Sequence, residues 1–467
     1  MYVEQLYTNC LSEAAYFIAS EGEAAIIDPL RDVDVYLKMA EEKGVKIKYI
    51  FETHFHADFI SGHLELSKKT GAPIVYGPQT DANFDIHLAK DGEEFSIGKI
   101  KIKAIHTPGH TLESTCYLLS NEEGTPYCIF TGDTLFVGDV GRPDLFSGNM
   151  SKEELAGMMY ETLQTKIKPL ADNIIVYPAH GPGSSCGKNL GPETFSTIGE
   201  QRQTNYALQD MSQEEFVKTV TTGLSKPPAH FAENARINQQ GYAPMEDVLK
   251  RGLQALSIAE FKDKVTAGAW ILDTRASGTF TEGFIPEAIS IGLDGRFAEW
   301  AGSLLPLSQP LVLVTEEGKE KESTVRLARV GIDNVQGHLK GGYEAWRNAG
   351  EHTDMIIDIE PDELAMDIPH DPRLEVIDVR KATEYESGHI KGAINTPLDT
   401  LMDPLNAAMI DDENNLYVHC AGGYRSVIAA SILKRHGYHN LRNVVGGYAK
   451  MKQVKNMPIV IPDEVKI

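Results

Sequence analysis

IKYIFETHFHADF, residues 47–59, runs an apolar strand straight into two histidines and an aspartate. The same junction recurs over residues 1–180. IKIKAI (100–105) leads into HTPGH (106–110), YCIFTG (127–132) into Asp133, and NIIVYP (173–178) into Ala179 and His180. AAYFIA (14–19) and EAAIID (23–28) are two further strand-like runs, and helix-like stretches lie near 32–43, 62–70 and 151–167. This alternation reads as α/β, with the chemistry-bearing residues just after strands. One loop histidine is usually just solvated. Four strand ends that carry imidazole or carboxylate have what a metal cleft requires: rigid supports, and loops open to substrate.

Composition sets the frame around that cleft. At ~150 residues per domain, a chain of 467 residues predicts about three domains. Hydrophobic residues make up 42% and charged residues 24%, the mix of a globular protein with real cores. Lys and Arg number 44 against 67 Asp and Glu, a net charge of −23, which argues against nucleic acid or an anionic membrane as main partner. Five cysteines, Cys10, Cys116, Cys128, Cys186 and Cys420, are too few and too odd in number for a disulfide scaffold, so a reducing cytoplasm is expected. No apolar run approaches the ~20 residues of a membrane span. MYVEQLYTNC has neither the basic region nor the apolar core of a signal peptide. Residues 193–222 read as helical, and 223–243, with its Pro and Gly, as an irregular tail or linker.

THFHAD, TPGHT, TGDTLF and YPAH resemble the metallo-β-lactamase superfamily over roughly residues 1–210. The resemblance implies an αββα sandwich. It departs at Phe59, where the usual H-x-H-x-D-H motif has its last histidine; Phe cannot ligate, which weakens a second metal site. TGDTLFVGDVGRPDL (131–145) is similar to the persulfide dioxygenase branch, which binds a single Fe(II) through two histidines and one aspartate. Carried over by motif, the ligands are His54, His110 and Asp133, an arrangement that leaves positions open for substrate and dioxygen. His56, Asp58 and His180 then orient ligands or waters from behind. Arg142 is a candidate for the substrate's anionic tail, or else a loop anchor paired with Asp144. Tyr177 is a weaker substrate-contact candidate. Cys186, in HGPGSSCG, reads either as an exposed sulfur acceptor near the iron or as a small buried residue. Cys116 and Cys128 sit in strand-like runs and read as core.

The second half repeats itself. ILDTR (271–275) matches VIDVR (376–380), GFIPEAIS (283–290) matches GHIKGAIN (388–395), and GGYEAW (341–346) matches GGYAKM (446–451), all at an offset of 105 residues. Three matches at one offset mark two copies of one domain, each a parallel sheet with covering helices. In the second copy Cys420 opens CAGGYRS (420–426) between an apolar strand and a helix. Backbone N–H groups, including those of Gly422 and Gly423, together with the helix N-terminus and Arg425, favour a thiolate nucleophile there. VIDVR, ESGHIKGAIN, CAGGYRS and GGY look like a rhodanese domain, which implies sulfur carried as a Cys420 persulfide. Asp378 and Arg380 match the family's early strand motif and read as an ion pair. The same offset puts Thr315, Glu320 and Lys321 where Cys420, Arg425 and Ser426 stand, so the first copy lacks the nucleophile.

The expected fold class is therefore α/β: an N-terminal metallo-β-lactamase αββα sandwich and two tandem rhodanese domains. The expected boundaries are 1–250, 251–355 and 356–467. The resemblances imply one Fe(II) per chain. They imply oxidation of a low-molecular-weight thiol persulfide by dioxygen to sulfite and thiol, coupled to sulfite/thiosulfate sulfurtransfer in sulfide detoxification. A homodimer or larger homo-oligomer fits the habit of related enzymes. Two other readings stand beside this one: a zinc glyoxalase II-like thioester hydrolase, and a non-enzymatic sulfur-relay or docking module.

Overall fold

The computed structural model describes residues 1–145 and 150–461. It divides into two compact units, Met1–Asp247 with Leu327–Ile332, and Val248–Arg326 with the chain from Asp333 onward. The first unit stacks two six-stranded sheets. One runs in spatial order through Tyr2–Thr8, Glu13–Ser20, Glu23–Ile27, Lys46–Phe51, Ile74–Tyr76 and His87–Leu88. The other runs through Ser196–Thr197, Ile175–Pro178, Pro126–Gly132, Thr115–Ser120, Ile100–His106 and Glu94–Ile97. Tyr16, Phe51, Ile102, Tyr117 and Phe130 fill the space between the sheets. Each such side chain contributes about 1.5–3 kcal/mol by leaving water.

Helices cover the two outer faces. Tyr36 of Asp34–Lys43 and Leu66 of His63–Thr70 pack on Phe17, Ile26 and Ile50 of the first sheet. Met159 of Lys152–Thr162 packs on Ile129 and Val176 of the second. Ser151 and Glu154 start that helix with a reciprocal cap, each side chain accepting from the other's backbone N–H. The layer order is helix, sheet, sheet, helix, as expected.

Two expectations need correction. Residues 193–222 form two short helices, Ile198–Thr204 and Gln213–Thr221, because Thr197 with Glu200 and Ser212 with Glu215 cap them separately. The tail expected at 223–243 contains the helix Phe231–Gln240. Its inward stripe is Phe231, Asn234 and Asn238, all buried, so two of its three inward side chains are amides. An amide stripe is invisible to a search for apolar period.

The second unit holds two five-stranded parallel sheets with one topology. Their orders are Ala255–Leu256, Val335–Leu339, Leu311–Val314, Trp270–Asp273, Ile289–Ser290, and Ile357–Ile359, Leu441–Val444, Asn415–His419, Leu374–Asp378, Ile394–Asn395. The duplication extends to side chains. Arg275 grips Asp273 and the Gly283 carbonyl, with Tyr343 under its guanidinium at 4.3 Å. Arg380 does the same with Asp378, Gly388 and Tyr448, at 4.0 Å.

Candidate metal centre and cysteine loop

His54, His110 and Asp133 leave three different strand ends and bring ligand atoms within 4.8 Å of one another, all buried. His110 Nδ1 donates to the Arg142 carbonyl at 2.7 Å, and His54 Nδ1 to Thr53 Oγ1 at 3.0 Å. Thr53 in turn donates its hydroxyl to Asp28 at 2.9 Å. Both histidines thus aim a bare Nε2 at Asp133 Oδ2, from 3.4 Å for His110 and 3.9 Å for His54. Both oxygens of Asp133 are buried with no hydrogen-bond partner among the described residues. Burial, with the neighbouring His56, His110 and His180, pushes the His54 imidazole well below its ordinary range and so holds it neutral. Two imidazoles that turn Nε2 toward a carboxylate with no hydrogen-bond partner among the described residues fit a divalent metal. Gly132 lets Asp133 into place: its φ is +51°, and a Cβ there would stand 2.6 Å from Thr53 Oγ1.

His56 has another environment. Its Nε2 lies 3.0 Å from Asp28 and 3.6 Å from Glu52. Burial opposes charge on this ring, but Asp28, Glu52 and Asp58 outweigh it and lift the imidazole to about 10. Asp28, Glu52 and His56 also bring ligand atoms within 4.8 Å of one another, as a third buried group. Phe59 is fully buried and lies against His56, with centroids 4.3 Å apart.

Asp58, His180 and Cys186 form a second buried group with ligand atoms within 4.8 Å. His180 Nε2 stands 3.4 Å from Asp133 and 3.5 Å from Asp58, while its Nδ1 donates to the Ser12 carbonyl at 3.1 Å. Cys186 is buried, the second of its two expected readings; it packs with Ala57, Phe136, Leu145 and Phe231. Burial, then the nearby Asp58 and Asp133, pushes its thiol well up.

Arg142 is buried and its guanidinium meets Asp144 through Nε at 3.0 Å and Nη2 at 2.8 Å. Its side chain is an anchor, not an open anion site, and its carbonyl sets the His110 tautomer. Tyr177 stacks on Phe130 at 5.6 Å between the sheets, where packing rather than substrate surrounds it. Cys116 and Cys128 are core residues.

Sequence reasoning missed Asn238. Its amide donates to the carbonyls of His56 at 2.8 Å and Phe59 at 2.7 Å, and its oxygen accepts from Ser61 N–H at 2.9 Å. It also missed Glu113, whose Oε1 accepts from Phe55 N–H at 3.1 Å. Neither residue lies in a motif.

Cys420 follows the strand Asn415–His419 and faces the start of the helix Tyr424–Arg435. Gly423, at φ +109°, donates its N–H to Sγ at 3.1 Å, and Ser426 Oγ lies 3.7 Å away. A Cβ built on Gly422 would meet nothing within 4 Å among the described residues. Arg425 was expected as a free cation beside the sulfur. Instead it pairs two-pronged with Glu384, at 2.7 and 2.8 Å, so the loop's backbone and helix end carry more of the positive field. Tyr424 donates its hydroxyl to the Gly292 carbonyl of the first copy at 2.7 Å. At Cys420's equivalent in that copy stands buried Thr315.

Residues 8–180 match the profile of the Metallo-beta-lactamase superfamily, and residues 257–349 and 360–453 each match the Rhodanese-like domain. A probable hydroxyacylglutathione hydrolase of Schizosaccharomyces pombe is 36% identical over 49% of this chain and 93% of its own length. The mitochondrial persulfide dioxygenase ETHE1 of Homo sapiens is 31% identical over 44% of this chain and 74% of its own. The crystal structure of a metallo-beta-lactamase from Staphylococcus aureus subsp. aureus COL is similar at a TM-score of 0.64 and 33% identity. It covers 73% of this chain and 98% of that one.

Proposed function

The chain belongs to the metallo-β-lactamase superfamily and carries two rhodanese-like domains, and from that premise we propose a persulfide dioxygenase joined to a sulfurtransferase. The observation that carries the reading is the two-histidine, one-aspartate set His54, His110 and Asp133, with Phe59 where a further ligand would stand. These three residues would hold one Fe(II), which supplies dioxygen chemistry toward sulfur when bound. The overall change balances as R–S–S⁻ + O₂ + H₂O → R–SH + SO₃²⁻ + H⁺.

The chain's own residues supply the surroundings. Thr53 and the Arg142 carbonyl hold the two imidazoles in the ligating tautomer. Phe59, Phe136 and Phe231 keep the centre's walls apolar, which protects a reactive sulfur anion from bulk water. At the second site the Cys420 thiolate takes sulfur from thiosulfate, forming Cys–S–S⁻ and releasing sulfite, or runs in reverse. Gly423 N–H and the helix end would steady the persulfide's charge. Joining the two activities raises the local concentration of their shared intermediates. The proposal keeps the division 1–250, 251–355 and 356–467, a cytoplasmic setting, a role in sulfide detoxification and a homo-oligomer. No helix among the described residues is long and apolar enough to cross a membrane.

A second reading, thioester hydrolysis on two zinc ions, draws on the hydroxyacylglutathione hydrolase relative and on the Asp58, His180 and Cys186 group. Metal analysis of anaerobically purified full chain separates them: one iron supports oxygenation, two zinc ions support hydrolysis.

A further inference from the structure

A cavity of about 550 Å³ opens beside the metal group. One wall is Phe55, next to His54 in sequence, with Thr111, Leu112 and Glu113, the three residues that follow His110. The other wall is the helix Phe231–Gln240, through Ala232, Ala235 and Arg236. Leu145 and Ala235 belong both to this lining and to the apolar cluster around Cys186.

The charges of the lining are unbalanced. Glu113 is only 5% exposed, yet among the described residues no cation pairs with it. Its Oε1 accepts from Phe55 N–H; its Oε2 makes no hydrogen bond among the described residues. Arg236 is the cavity's basic group, and it is held by Glu233 on its own helix, Nε to Oε2 at 2.9 Å. Asp81 and Glu233 add two more carboxylates to the rim. A buried carboxylate without a cation is costly, and structures normally supply the partner. Here the space beside Glu113 is the cavity itself.

We infer that this cavity takes the organic part of the persulfide and that Glu113 binds an ammonium group on it, so the substrates are aminothiol persulfides. The inference rests on the dioxygenase reading and adds the class of thiol to it.

The test compares cysteamine persulfide with N-acetylcysteamine persulfide, which differ in the ammonium charge. Oxygen uptake by iron-loaded full chain should give a KM at least tenfold lower for the amine. Glu113→Gln keeps an acceptor for Phe55 N–H and should raise KM for the amine at least tenfold more than for the amide. A metal-independent arm measures binding of S-methylcysteamine and its N-acetyl form to the metal-free full chain by ligand-observed NMR. The amine should bind more tightly, and Glu113→Gln should remove the difference. Equal KM values for both persulfides, or an equal effect of Glu113→Gln on both, overturns the inference. If no persulfide supports oxygen uptake, the dioxygenase reading fails, and the binding arm alone decides whether the cavity selects ammonium.

Discussion

Asn238 donates its side-chain amide to the main-chain carbonyl of His56 at 2.8 Å, from a helix 182 residues further along the chain. The same side chain holds Phe59 and Ser61, so the loop that carries the first metal ligand is braced by the segment after the sandwich. Asn238→Ala removes all three bonds and strands buried backbone groups. It should destabilise the first unit by about 1–3 kcal/mol. Iron retention under a competing chelator should fall about 10- to 100-fold, as for other groups that orient ligands. Thermal unfolding and metal analysis read both effects; full iron retention would show that the loop needs no brace.

Replacing Asp133 with Asn tests the metal set itself. The amide keeps the shape but loses the charge that faces His110 at 3.4 Å and His180 at 3.4 Å. Iron content should drop below a tenth per chain while sulfurtransfer by Cys420 persists. Iron bound in full by the variant would move the centre to other residues.

Cys420→Ser should abolish sulfurtransfer and leave iron content and oxygen uptake in place. Thiosulfate turnover with cyanide as acceptor reads the first, and an oxygen electrode the second. Because Cys420 is the one cysteine in either rhodanese-like match, residual turnover would point to a site outside the loop.

The Arg425–Glu384 pair sets a pH signature. Burial raises the Glu384 carboxyl, but the hydrogen bonds and charge of Arg425 outweigh it and hold the group below its ordinary range. A depressed carboxyl stabilises the fold above its unfolded value, near 4.3, and loses that contribution as pH falls through its folded value. Glu384→Gln should therefore cost about 0.5–1 kcal/mol at pH 7, given its partial exposure, and less at pH 4. Urea melts at the two pH values test this; a cost that grows at pH 4 has the wrong sign.

Gly295 of the first rhodanese-like copy lies against the Tyr424 ring, where an added Cβ would stand 2.3 Å from Cζ. Gly295→Ala should push Tyr424 off the Gly292 carbonyl and disturb the loop beside Cys420. A loss of about 1–3 kcal/mol is expected from overpacking, with a several-fold fall in sulfurtransfer and no change in iron content. Unchanged transfer would mean that the copy without a nucleophile leaves the Cys420 loop unsupported.

The legible parts of this chain were those where chemistry sits next to a regular element. His54, His110 and Asp133 each follow an apolar strand, so pattern and motif coincide. The repeat was legible because Asp273 with Arg275 and Asp378 with Arg380 do one structural job twice. Asn238 and Glu113 were illegible because each acts by folding onto a distant segment. The helix Phe231–Gln240 was hidden because Asn234 and Asn238 occupy its buried face. Arg425 was read as a free cation because sequence shows a charge but not the carboxylate of Glu384 that tertiary structure brings to it; of the two readings of Arg142, the pair with Asp144 is the one the structure shows. The sequence left Cys186 open between exposed and buried, and packing against Phe136 and Phe231 decided for burial.

The most direct test of the central claim is oxygen consumption by anaerobically iron-loaded full chain given glutathione persulfide, with sulfite measured in the same vessel. The account predicts one dioxygen consumed per sulfite formed, lost together in the Asp133→Asn protein. No oxygen uptake by fully iron-loaded protein, with thioester hydrolysis by its zinc form instead, would contradict it.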